Sequence, residues 1–230
     1  MHAYSDQRIL EAWHHNAAPW AEAVRAGQIE SRQQVTNAAV LEAIRRHAPH
    51  SVLDVGCGEG WLLRALAAHV PQRLGVDAVP ALIAQAQRAG GGEFLVATYA
   101  DLAAGCLNRR FDVVVCNFSL LGQESVQALF AATPALLQPD GVLVVQTLHP
   151  WAASTLSYRD GWRDGSWAGC GSGFAEPAPW YFRTLASWVA LFAASGLALL
   201  EIQEPIHPTT QQPVSILFTA ASQAAQAGGA

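Results

Sequence analysis

The sequence predicts an α/β fold: one open, doubly wound, largely parallel sheet with helices on both faces. Three observations carry this expectation. From residue 51 onward, short runs that are apolar throughout alternate with stretches of helical period, the pattern of strands buried on both faces. The first such run, SVLDV, ends in a glycine-rich turn that opens a helix, as ligand-binding turns do in sheets of this kind. The last two strand-like runs are joined only by PIHPTTQQP. That is too short for a helical crossover, so the pair should be antiparallel.

The elements follow in order. Residues 6–46 read as helices: Ile9, Leu10 and Trp13 recur at helical spacing, and a second run follows over 31–44. SVLDVGCG is a buried strand meeting a tight turn, and EGWLLRALAAHV a helix. RLGVDA is a second strand, and VPALIAQAQRA a helix with Pro in its first turn. EFLVATY, FDVVVCNFSL and GVLVVQTL are strands three to five, with ESVQALFAATPALLQ a helix between the last two. Residues 159–183, RDGWRDGSWAGCGSGFAEPAPWYFR, read as a loop because Gly, Pro, Asp and Ser punctuate them. A helix at TLASWVALFAASG and strands at ALLEIQE and VSILFTAA complete seven strands, and the tail ASQAAQAGGA is expected to fray. The 230 residues suit a single domain, with no internal repeat or low-complexity linker.

Composition narrows the function. Hydrophobic residues make up 51% and charged residues 13%, enough core and too little charge for a disordered body. A net charge of −5 argues against non-specific binding of nucleic acid or of an anionic membrane. No apolar stretch approaches the ~20 residues that span a bilayer, and the N-terminus carries charges where a signal peptide needs an apolar run. Cys57, Cys106, Cys116 and Cys170 form no C-x-x-C pair and read as small buried groups of a reducing cytoplasm. The histidines show no metal-ligand spacing; His14 and His15 are adjacent and diverge on a helix, so no metal is expected. Every basic residue is arginine, a bias that a GC-rich bacterial coding sequence would give.

The chemistry concentrates in VLDVGCGEG. Gly56, Gly58 and Gly60 let the backbone turn tightly and approach a ligand. Asp77 ends the second strand, placed to accept hydrogen bonds from both hydroxyls of a ribose or to cap the following helix. The dinucleotide fingerprint G-x-G-x-x-G is not met: Trp61 stands where it needs its third glycine. Asp54, just before the turn, would repel a pyrophosphate but not a cationic ligand.

With VLDVGCGEG, GVDAVPALIAQA, FDVVVCNFSLL and LLQPDGVLVVQT in that order, the chain resembles a class I S-adenosylmethionine (SAM)-dependent methyltransferase over residues 51–148. The resemblance implies a Rossmann-like seven-stranded sheet in the order 3-2-1-4-5-7-6 with strand seven antiparallel, and SAM as cofactor with S-adenosylhomocysteine as product. It implies that Asp54, Gly56, Cys57 and Gly58 line the methionine part and Asp77 holds the ribose. Ala78 and Val79 then flank the adenine. Many relatives place an acid at the end of strand three; here Thr98 stands there, which leaves the backbone of Tyr99 as the adenine's partner. Asn117 and Phe118 follow strand four, near the sulfonium. The division expected is a helical cover at 1–48, the SAM-binding core at 49–148, an acceptor-pocket insertion at 149–184, and a C-terminal helix and strands at 185–220.

Outside the core, several residues have two readings. Arg32 pairs with the methionyl carboxylate, or is a solvated charge. Trp13 and Trp20 wall the pocket, or belong to the core. The aromatic insertion roofs the acceptor, or packs on itself; it lies after strand five, above the ligand edge. Trp167, Trp180, Tyr181 and Arg183 are its pocket candidates, and Trp188 fits the core. Arg159, Arg163 and Arg183 bind an acidic substrate, or Arg159 and Arg163 pair with Asp160 and Asp164. His149, ending strand five, is a candidate general base, with Tyr181 beside it as a second catalytic candidate; otherwise His149 is bonded to the backbone.

The function expected is transfer of the SAM methyl group to a small-molecule nucleophile by in-line displacement, by a cytoplasmic monomer or homodimer. Strand four is followed by NFSL and not by the Asn/Asp-Pro-Pro-Tyr/Phe pattern, which speaks against a nucleic-acid substrate. Two alternatives remain at this point: an NAD(P)-dependent oxidoreductase and a non-catalytic SAM-binding regulator.

Overall fold

Seven strands form one sheet in the order β3-β2-β1-β4-β5-β9-β8 in the computed structural model, which describes residues 4–153 and 157–223. The strands are β1 (Ser51–Val55), β2 (Gln72–Asp77), β3 (Glu93–Val96), β4 (Phe111–Asn117), β5 (Leu137–Thr147), β8 (Leu197–Gln203) and β9 (Ile216–Ser222). Strands β3, β2, β1, β4 and β5 pair in parallel; β9 is antiparallel to both β5 and β8. This is the expected order and the expected last pair. A separate two-stranded hairpin, β6 (Gly161–Arg163) with β7 (Trp180–Phe182), lies inside the aromatic insertion, which the sequence reads as loop throughout.

Side chains of successive strand residues point to opposite faces, and β1 shows it. Leu53 and Val55 join a core with Val114, Phe130, Trp188, Phe192 and Phe218; Val52 joins one with Val113, Ile44, Leu62 and Ile83. The first face is covered by α5 (Tyr99–Ala103), α6 (Glu124–Leu136) and α7 (Leu185–Ala194). The second is covered by α2 (Asn37–Arg45), α3 (Trp61–Ala65) and α4 (Pro80–Ala89). Helix α4 starts on Pro80, where a missing N–H costs nothing. Thr184 caps α7 by accepting from Ser187 N at 3.1 Å. The helix expected after the glycine turn is only one turn and a half, and Thr98 begins α5, which the sequence reading did not foresee.

Helix α1 (Asp6–Arg25) and a π-helical turn over Arg32–Thr36 precede α2. The buried Asn16 ties α1 to the insertion: its amide donates to Glu176 O (3.1 Å) and accepts from Ala175 N (2.7 Å). Asp6 accepts from Gln123 N (2.8 Å) and Ser125 N (2.6 Å), so the first turn of α1 completes the start of α6. Residues 221–223 of the expected frayed tail are ordered with β9 or just beyond it, and 224–230 lie outside the described residues. Cys57 and Cys116 are buried as expected, whereas Cys106 is exposed and Cys170 half-buried. None of the described helices is long and apolar enough to cross a membrane.

Phe192 is fully buried and its ring packs against Phe130 (5.0 Å between centroids) and Phe218 (5.3 Å). Phe192→Ala should lower the free energy of unfolding by about 3–5 kcal/mol, read from urea denaturation, since the cavity sits between rigid strands and helices.

Candidate active site

The turn after β1 forms the floor of the site. Gly56 has φ +77°, and a Cβ there would sit 2.3 Å from Ser119 Cβ, so only glycine allows the loop after β4 to approach. Gly60 has φ +82°, and a Cβ would meet the Phe94 ring at 2.8 Å. The turn is held from both sides: Gly56 N and Cys57 N donate to Val76 O, Gly58 N donates to Asp77 Oδ2 at 2.9 Å, and Ser119 Oγ donates to Val55 O at 2.7 Å. Phe118 has φ +54°, a conformation that costs a non-glycine residue energy and concentrates at functional sites.

Two adjoining cavities open over this floor. The smaller, about 360 Å³, is lined by Asp77, Ala78, Val79, Leu82, Thr98 and Tyr99. The larger, about 680 Å³, reaches Arg32, His149, Trp167, Trp180, Tyr181 and Arg183. Trp13, Trp20, Gly56, Gly58, Asn117 and Phe118 line both. The structure therefore gathers the expected site residues around two adjoining cavities. Asp54 is the exception: it is 2% exposed and lines neither cavity.

Each polar group has a legible state. Asp77 Oδ1 accepts from Val79 N (2.9 Å) and Oδ2 from Gly58 N, which leaves its other lone pairs for a ligand. Burial raises the Asp77 carboxyl, and those two N–H groups pull it back. Asp54 makes no side-chain hydrogen bond among the described residues; burial, then the Asp77 charge, push it up to about 8, against the pull of Arg32. Arg32 is buried between Trp20 (5.7 Å) and Trp61 (4.9 Å), stacked as a cation on both indoles. Its Nε donates to Asn37 Oδ1 at 3.3 Å, and its Nη2 is buried with no partner. Desolvation lowers it to about 10, still charged at neutral pH. The surface-charge reading of Arg32 fails. The π-turn that carries it brings residues i and i+5 together, which is how Asn37 reaches Arg32.

The insertion packs on itself and also lines the larger cavity. Trp167 stacks on Phe174 (4.4 Å) and meets Trp13 edge-on (5.4 Å), while also lining the larger cavity. Trp13 meets Trp20 edge-on at 5.1 Å, so α1 and the insertion close over the space together. The Tyr181 hydroxyl makes no hydrogen bond among the described residues. Trp188 is core as expected, packed on Phe130 and Phe218.

Arg183 borders the larger cavity, and its guanidinium also donates to Gly122 O (2.9 Å) and Gln123 O (3.0 Å), so it braces the loop after β4. Arg163 donates to Ser157 O and Arg159 O at 2.9 Å; Asp160 accepts from Thr184 N and Asp164 from the Tyr4 hydroxyl. The Arg159–Asp160 and Arg163–Asp164 pairs are not formed among the described residues. Thr98 is engaged in a capping box with Asp101. Burial raises the Cys57 thiol well above its usual range, so it stays an unreactive small group.

Sequence reasoning missed several residues. Glu59, 1% exposed, pairs with Arg64 (Oε1, 2.6 Å) and with Arg25 of α1 (3.1 Å). Gln146 is fully buried and donates to Asn117 Oδ1 (2.8 Å) and Thr36 O (3.0 Å). Glu204 meets His149 at 2.7 Å, so His149 is bonded to a carboxylate and not to the backbone. Glu59 lies inside the glycine turn and was visible there; the others join elements far apart in sequence and carry no local signal.

Comparison with known proteins decides the family. The family model described as "Methyltransferase domain" matches residues 13–202. The chain belongs to the class I SAM-dependent methyltransferases. It is similar to an uncharacterized methyltransferase of Mycobacterium tuberculosis, 31% identical over 152 residues, 65% of this chain and 75% of that one. It is also similar to a dTDP-3-amino-3,6-dideoxy-alpha-D-glucopyranose N,N-dimethyltransferase of Streptomyces fradiae, 37% identical over 114 residues, 47% of this chain and 43% of that one. Among solved structures, the SAM-bound amino pentose methyltransferase from Micromonospora echinaspora superposes with a TM-score of 0.58 at 25% identity, covering 80% of this chain and 88% of that one. SAM is thus the methyltransferase's cofactor.

The buried Asp54 yields a pH test. Unfolded, its carboxyl titrates near about 4; folded, near about 8. Between these values the folded chain holds a proton that the unfolded chain has lost, so this group's contribution to stability falls as pH rises. Asp54→Asn removes the effect. The variant's melting temperature should gain on the parent from about pH 4 to about pH 8 and keep a constant lead above, measured by calorimetry. A constant difference over the whole range would show that Asp54 is not held protonated.

Proposed function

We propose that the protein moves the methyl group of SAM to a small-molecule acceptor by in-line displacement, as a cytoplasmic bacterial enzyme acting as a monomer or homodimer. One observation carries the reading: two connected cavities meet at the glycine turn, with an acid in one and an orphaned guanidinium in the other. When bound, SAM supplies an electrophilic methyl group on a sulfonium.

The smaller cavity suits the adenosine. Asp77 accepts from the ribose hydroxyls with its remaining lone pairs, and Ala78, Val79 and Leu82 face the base. The Thr98 side chain is occupied, so the backbone of Tyr99 is the polar partner there. The free Nη2 of Arg32 fits the methionyl carboxylate, which Arg grips bidentately. Gly56, Cys57 and Gly58 border the methionine chain. Asn117 and Phe118 mark the sulfonium, where the two cavities join.

The larger cavity receives the acceptor. Trp167, Trp180 and Tyr181 make it largely apolar, with few polar groups to orient a ligand. Excluding water and holding the nucleophile in line with the methyl at about 3–3.5 Å are the main means of acceleration available to it. The small-molecule reading is supported by the relative from Streptomyces fradiae, whose name specifies an amino sugar. His149 borders this cavity and is the general-base candidate; Tyr181 is a second polar contact.

Calorimetric titration tests the assignment. SAM and S-adenosylhomocysteine should bind with dissociation constants near micromolar, about −8 kcal/mol. Asp77→Ala should abolish binding, and Arg32→Ala should raise the constant about tenfold, about 1.4 kcal/mol. NAD⁺ and NADP⁺ should give no heat. Unchanged affinity in both variants would remove these residues from the cofactor site.

A further inference from the structure

Sheet topology brings two residues together that lie far apart in the chain. Strands β5 and β8 flank β9 and run in the same direction, so their carboxyl ends share one edge with a single strand between them. Thr147 of β5 and Gln203 of β8 pair with Ile216 and Leu217 at the start of β9. His149 follows the first strand end and Glu204 the second. Their side chains meet across the start of β9, Nε2 to Oε1 at 2.7 Å. His149 is 8% exposed and lines the larger cavity, and its Nδ1 is buried without a partner.

A carboxylate only accepts hydrogen bonds, so a neutral His149 facing Glu204 carries its proton on Nε2. Nδ1 is then a bare acceptor. A buried acceptor without a partner is costly and persists where a ligand completes it. We propose that Glu204 is a positioning residue that fixes the His149 tautomer, and that His149 Nδ1 takes the proton from an O–H or N–H acceptor in the larger cavity. This rests on the methyltransferase reading of the site. The acceptor's lone pair forms the bond to the methyl carbon, the electron pair of the breaking carbon–sulfur bond stays on sulfur, and the acceptor's proton goes to Nδ1. The resulting imidazolium keeps its hydrogen bond to the Glu204 carboxylate, which offsets the new charge. The side chain of Glu204 is 57% exposed, so its replacement leaves the core intact.

The test uses the full chain labelled with ¹⁵N-histidine and saturated with S-adenosylhomocysteine, the His149 signals being assigned by their loss in His149→Gln. At a pH where the ring is neutral, His149 should show a protonated Nε2 and a bare Nδ1. Glu204→Gln should give a mixture of tautomers, and Glu204→Asp should restore the single one. With a panel of phenols and primary amines as acceptors, Glu204→Gln should lower kcat roughly tenfold or more and leave the acceptor KM and the S-adenosylhomocysteine affinity in place. A proton on Nδ1 in the parent, an unchanged tautomer in Glu204→Gln, a loss shared equally by kcat and KM, or turnover of no phenol or amine would each overturn the proposal. Failure of the methyltransferase reading looks different: no calorimetric binding of S-adenosylhomocysteine while the His149 spectrum remains as described.

Discussion

The close approach of Ser119 to Gly56 sets the geometry of the whole site. It draws the loop after β4 against the turn after β1, with the Ser119 hydroxyl bonded to Val55 O. Phe118, the neighbour of Ser119, has a left-handed conformation and lines both cavities. Asp77 secures the other side of the same turn through Gly58 N. A substituent on Gly56 would separate the two loops and with them the two halves of the binding space.

The rest of the chain serves to keep those loops in place. Asp6 and Arg183 hold the N–H groups and carbonyls of residues 122–125 from opposite sides. Tyr181 N adds a bond to Leu121 O at 2.7 Å. Glu59 couples the glycine turn to α1 through Arg25, and Asn16 couples α1 to the insertion. Polar groups as buried as Asn16, Gln146 and Glu59 are stable only because they are paired, so they specify one arrangement of cover, turn and insertion. The cation stack of Arg32 between Trp20 and Trp61 belongs to the same cover and leaves Nη2 buried without a partner.

The sheet was legible because its evidence is local. Apolar strands, glycine ends and the short PIHPTTQQP link each follow from neighbouring residues and gave the strands and the antiparallel last pair; the order came with the resemblance to the class I methyltransferases. The turn from Val52 to Gly60 was legible for the same reason. The hairpin of β6 and β7 was hidden: GWR and WYF are too short to show alternation, and the pairing spans a glycine-rich stretch. The bracing bonds of Arg183 were hidden because its partners are carbonyls, which no sequence displays. Arg32 was undecided until its depth between two indoles was known, and Glu204 had no visible tie to His149 until the strand order put their ends on one edge.

A crystal structure of the complex with S-adenosylhomocysteine tests the account most directly. The account predicts the ribose diol on Asp77, the adenine against Ala78 and Val79, the carboxylate on Arg32 Nη2, and the sulfur beside Phe118. The methyl position would then open into the larger cavity toward His149. Adenosine lying in the larger cavity, or a carboxylate turned away from Arg32, would contradict it.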